Sequence, residues 1–188
     1  MTSTNDSVLY GVKQIDIVNL ESDGAADASA IEYSVDNPQD FSVTAVYNDG
    51  DRSVLRGGDD IIAVIEEDDK LIGFDTSFGL AELVPEVDGT ICGGVATGAD
   101  GKWESPADST EDAYPFSMEV YVQKYTEDVQ YSDTDGFIKF TFPFCKGRRG
   151  GESHADKSFG SPSYDVRCRK NPSTEAVAMT YESVESIS

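Results

Sequence analysis

Apolar residues in this chain recur at every second position in segment after segment, a period that suits strands and rules out amphipathic helices over most of its length. Between Leu71 and Leu80, Ile72, Phe74, Phe78 and Leu80 share one face with Thr76, while Gly73, Asp75, Ser77 and Gly79 share the other. Phe41, Val43, Ala45 and Tyr47 alternate with the polar pair Ser42 and Thr44. Val8 to Val18 alternates with a change of phase near Lys13, which predicts a bulge. Phe116, Met118, Val120 and Val122 form another such face, as do Ile138, Phe140, Phe142 and Phe144, where Pro143 points to an edge position. A last strand is expected at Tyr164 to Arg169. The fold class that follows is mainly β, made of half-buried antiparallel strands.

The segments between these runs carry turn chemistry. Asn48-Asp49-Gly50-Asp51 predicts a hairpin returning through Arg52 to Arg56, because Asn, Asp and Gly tolerate the positive φ of tight turns. The charged stretch Glu66 to Lys70 is expected to join Ile61–Ile65 to Leu71–Leu80 as a second hairpin lying outside the core. Ala81 to Ile91 breaks the period, has Pro85 near a helix start and runs into Gly93-Gly94, which predicts one short helix. Val95 to Ala113 reads as a long loop pinned by Trp103, Lys146 to Gly151 as an exposed basic loop, and the chain from Asn171 as an arm. With 188 residues, one domain is expected over 1–188. Its parts are N-terminal strands, hairpins and helix at 8–94, a loop at 95–115, C-terminal strands at 116–170 and an arm at 171–188.

Charge is the second constraint. The formal net charge is -22. Residues 1–112 hold 25 acids and 5 bases, whereas Cys145 to Lys170 holds 7 bases and 3 acids. Such a surface argues against non-specific adhesion to nucleic acid by the chain as a whole. The chemistry of common enzymes is absent from the motifs. His154 is the single histidine and sits in a polar loop, no serine lies in a nucleophile elbow, and Gly57-Gly58 and Gly93-Gly94 lack a phosphate-cradling spacing. Neither Asp59-Asp60 nor Glu66 to Asp69 has a calcium-loop pattern, and Cys92, Cys145 and Cys168 have no zinc spacing. No enzyme activity, cofactor or metal is therefore expected. A Cys145–Cys168 disulfide stays open beside the reading of reduced, buried thiols. No apolar run approaches the length of a membrane span and the first residues do not form a signal peptide, so the expectation is a soluble chain without a membrane partner.

The stretch Leu71-Ile72-Gly73-Phe74-Asp75-Thr76-Ser77-Phe78-Gly79-Leu80-Ala81-Glu82-Leu83-Val84-Pro85-Glu86-Val87, followed by Gly93-Gly94, resembles the strand-into-helix signature of the major tail tube proteins of long-tailed, siphovirus-like viruses. Tyr10-Gly11-Val12-Lys13 leading into a strand is similar too. The resemblance covers roughly Val8 to Gly94.

It implies a β-sandwich with a flanking helix, assembled as stacked hexameric rings whose inner strands complete a multi-subunit β-barrel. It further implies a virion tail component, assembled in the host cytoplasm, that meets a tail terminator, a tape measure and tail tip proteins while DNA passes through the lumen unbound. On that reading Ser42, Thr44, Asp75 and Ser77 face the channel, while Phe41, Val43, Phe74 and Phe78 face the core. A lumen of carboxylates and hydroxyls suits a passing polyanion, since Lys or Arg would release counterions and grip phosphates. Contacts between rings or subunits are expected where Arg148, Arg149, Arg167 and Arg169 meet Asn48, Asp49, Gly50, Asp51, Asp59 and Asp60 of a neighbour. The acid excess and the count of only 8 lysines also suit a protein kept soluble in concentrated salt, as in a virus of a halophilic host. Rival readings are a capsid decoration or tail terminator protein, or a carbohydrate-binding β-sandwich using Trp103 and the tyrosines as stacking platforms.

Overall fold

The computed structural model describes residues 7–36, 38–57, 60–97, 101–107, 113–126, 136–152 and 160–187. The strands are β1 (Ser7–Asn19), β2 (Glu32–Asp36), β3 (Asp40–Asn48), β4 (Arg52–Gly57), β5 (Asp60–Glu66) and β6 (Lys70–Gly79). After the helix α1 (Pro85–Cys92) come β7 (Val95–Thr97), β8 (Lys102–Glu104), β9 (Phe116–Thr126), β10 (Phe137–Arg149), β11 (Ser163–Arg169) and β12 (Thr180–Val184). The protein is mainly β, and every strand pairing is antiparallel. The principal sheet runs β2-β1-β9-β10-β11-β6-β3, with β12 also beside β10.

Alternation places one face of each central strand in the core. Ile15 and Ile17 of β1, Met118 and Val120 of β9, Phe142 of β10, Val166 of β11 and Phe78 of β6 join Val87 and Ile91 of α1 in one buried cluster. Phe41, on the edge strand β3, meets Phe142 edge to face at 6.2 Å, so the sheet curls over its own core. The bulge expected near Lys13 is present and double. The β1–β9 register slips on both sides of Val12, passing over Gly11 and Lys13, and Gly11 takes φ 68°.

Several expectations change with the tertiary pairing. Pro143 does not mark an edge. It lies in the register break between Phe142 and Cys145, where β10 leaves β9 for β11, and a bulge needs no ladder donor at that point. Residues 147–149 are strand rather than loop, paired with β11. Val95 to Ala113 is not a bare loop, since β7 and β8 pair within it, and Trp103 fastens it by donating its ring N–H to the Gly93 carbonyl at 2.9 Å. The C-terminal segment returns as β12 to pair with β10 of the same chain.

Asn48 to Asp51 does not form a hairpin turn, and β5 does not pair with β6. Instead β3 pairs with β6 while β4 pairs with β5, so 49–51 and 67–69 run past each other as one joint. Glu67 N–H donates to the Asp51 carbonyl at 3.1 Å, and Gly50 N–H donates to Asp69 Oδ1 at 2.9 Å. A Cβ at Gly50 would collide with the Glu67 carbonyl, so the glycine serves close backbone approach rather than turning.

Candidate functional site

The register of four adjacent strands lines up two polar rows across one sheet face. One row is Thr44, Asp75, Arg167 and Lys146; the other is Ser42, Ser77, Asp165 and Arg148. Directly opposed residues in a ladder point the same way, so all eight side chains share the face turned from the core. They line a shallow groove of about 510 Å³.

The four residues assigned to a lumen are therefore together, but not alone. The cations expected at a separate contact surface stand among them, because strand parity in β10 and β11 sends Lys146, Arg148, Arg167 and Arg169 the same way. A face of hydroxyls and carboxylates only is not what the register builds. Ser42 and Ser77 hydroxyls hydrogen-bond at 2.8 Å. Arg148 donates through Nε and Nη2 to Asp165 Oδ2 at 3.2 and 3.1 Å, and Arg169 Nη2 reaches Asp75 Oδ1 at 2.9 Å. Arg169 Nη1 also donates to the Phe74 and Cys168 carbonyls, lying where any Cβ at Gly73 would intrude. Lys146 and Arg167 have no ion-pair partner among the described residues.

Arg149 belongs elsewhere. One residue on from Arg148, it points to the opposite side, where Nη1 meets Asp88 Oδ1 at 3.1 Å, Nη2 meets Glu152 Oε2 at 2.5 Å, and the guanidinium stands 5.4 Å from the Trp103 ring centroid. Asp88, on α1, is 2% exposed and also accepts from the Tyr164 hydroxyl at 3.0 Å. Burial raises the Asp88 carboxyl above its ordinary value against the opposing pull of Tyr164 and Arg149, and burial likewise raises the Tyr164 hydroxyl. Arg149 is thus withdrawn from the contact set: it ties the helix and Trp103 to the sheet.

The polar face ends at β3, an edge strand with no further partner among the described residues. Val43, expected in the core, is instead 39% exposed; Phe41 and Phe74 are partly buried and Phe78 fully. Beyond the joint, among the described residues β4 and β5 pair only with each other, and every described side chain from Ala63 to Ile72 is exposed. This arm displays Ile65, 67% exposed, and Val64, and next to it Leu71 and Ile72 of β6 and Tyr47 of β3 are also open to solvent. Asn48, Asp49 and Asp51 are exposed at the joint, and Asp60 begins β5; Asp59 lies outside the described residues.

Among the described residues no group of metal-ligating side chains gathers and no helix is long and apolar enough to cross a membrane. Neither family models nor curated proteins compared with the chain give a match. Of the remaining members of the polar face, Lys146 enters the sequence reading only as part of a basic loop, and Asp165 has no role there. Their parity with Arg148 and Arg167 was visible in the chain, but the pairing of β10 with β11 was not.

Proposed function

We propose that this chain is a structural virion protein of the major tail tube kind, whose copies join edge to edge into rings that stack as a conduit for DNA. The observation that carries this reading is the open β3 edge: a nine-residue strand with exposed side chains on both faces, at the end of a continuous polar face. Long unpaired edges template pairing with another chain, and closing the sheet into a barrel removes them. Four strands per copy, β10-β11-β6-β3, alternate in direction, so copies related by rotation about an axis along the strands meet antiparallel at each seam. Among the described residues Lys146 to Arg149 pair with β11 alone, and the seam would use the other side of that segment, beside α1, where Ile91 lies against Gly147.

The projecting β4–β5 arm supplies the longitudinal contact, offering apolar side chains and the acidic joint to the next ring. The β-sandwich, the hexameric ring and the tail location belong to this proposal through the family resemblance, as does the passage of DNA without specific binding. Pairing of Arg148 with Asp165 and of Arg169 with Asp75 limits the grip of the inner face on phosphates, and concentrated salt screens what Lys146 and Arg167 add.

Electron microscopy and sedimentation of the purified protein, from dilute to multimolar salt, test the reading. Rings or tubes are expected from the native sequence. Folded monomers are expected from Val43→Lys combined with Tyr47→Lys, which place charge on exposed edge positions. A native chain that stays monomeric throughout, or a variant that still forms tubes, refutes it.

A further inference from the structure

We propose that Cys145 and Cys168 form a site of reversible oxidation, closing to an intramolecular disulfide that staples β10 to β11 beneath the polar face. The proposal stands apart from the tube reading, since it concerns one chain and not its copies. The two cysteines are direct cross-strand partners, both fully buried, and the Cys145 thiol donates to Cys168 Sγ at 3.4 Å. Gly150 N–H donates to the Ser163 carbonyl at 2.7 Å, which sets the phase of this ladder. Counting back along an unbroken register, the 145/168 pair falls at a non-hydrogen-bonded position. Such pairs hold their Cα atoms about 4.5 Å apart, inside the range a disulfide spans.

The third thiol lacks such a partner in the ladder. Cys92 lies at the end of α1, outside the sheet. The remaining contacts of the pair are weak and local: Cys145 Sγ donates to the Phe142 carbonyl at 3.6 Å, and Thr76 Oγ1 lies 3.9 Å from Cys168 Sγ. Neither contact holds the sulfurs apart.

Burial raises the Cys145 thiol well above its ordinary value, so the closed native state presents little thiolate to an oxidant. Oxidation therefore belongs to folding, or to opening of β10 from β11. A disulfide such as oxidised glutathione suffices as oxidant. One cysteine thiolate attacks a glutathione sulfur and expels one glutathione thiolate; the second cysteine sulfur then displaces the other. The protein loses two protons and two electrons, the new bond joins Cys145 Sγ to Cys168 Sγ, and two glutathione thiols carry away the protons.

The test is to refold the reduced full-length chain in a buffer of reduced and oxidised glutathione, quench with an alkylating agent, and map tryptic peptides. The expected product is a monomer about 2 Da lighter in which the peptide Phe140–Lys146 is linked to Cys168–Arg169 while Cys92 is alkylated. Its thermal midpoint should lie about 10 °C above that of the dithiol form, a difference erased by reduction. The Cys92→Ser variant should give the same linked peptide. Full alkylation of all three cysteines after refolding, a link involving Cys92, or a link between chains overturns the proposal.

Discussion

Adjacent arginines in β10 should differ sharply when each is cut back to alanine. Arg149→Ala removes the cation facing Asp88, a carboxylate that is 2% exposed, and leaves it with the Tyr164 hydroxyl as its remaining described partner. Breaking a buried pair by deleting one member costs about 3–5 kcal/mol, and the lower end applies here because the Arg149 side chain keeps 23% of its exposure. In a chain of this size about 3 kcal/mol lowers the thermal midpoint by about 6–12 °C. Arg148→Ala breaks only an ion pair whose side chains are 71% and 49% exposed, worth no more than about 1 kcal/mol.

The assay is thermal unfolding followed by circular dichroism on dilute, monomeric protein across a range of pH. The carboxyl of Asp88 is raised by burial above the ordinary 3.8. Its ionisation in the folded chain therefore costs stability as pH rises from the unfolded-state value through the folded one. Removing Arg149 removes an attraction that opposes this rise, so the Arg149→Ala deficit should widen over that interval and be smallest at its acid end. Equal losses for the two variants, or a deficit for Arg149→Ala that is independent of pH, would refute the assignment of Arg149 as the tie between helix and sheet.

Other expectations follow from the same geometry. Replacing 52–66 with a short turn should leave the body folded, with an unchanged thermal midpoint, because among the described residues β4 and β5 pair only with each other; it should abolish stacking, as seen by electron microscopy. Phe142→Ala should cost about 3–5 kcal/mol in denaturant unfolding, since the ring is fully buried and meets Phe41. Burial pushes the Cys92 thiol up to about 11, so at pH 8 native Cys92 should be alkylated about a hundredfold more slowly than an ordinary cysteine. A near-normal rate would contradict its placement at the end of α1 beside Arg149.

Local chemistry was legible in the chain. Alternation in Leu71–Leu80, Phe116–Val122 and Tyr164–Arg169 located strands β6, β9 and β11, because a period of two is a property of neighbouring residues and needs no partner to be read. Pro85 and Gly93 bracketed α1 for the same reason. What lay beyond the sequence was which strands meet, and at what register. Asn48 to Asp51 has the composition of a turn, yet it passes beside 67–69 because pairing β3 with β6 lets Phe41 and Phe78 reach the core. Arg148 and Arg149 are adjacent and chemically alike, yet one lies in a polar row and the other against a buried aspartate. Strand parity separates them, but only long-range packing put solvent on one side of β10 and a helix on the other.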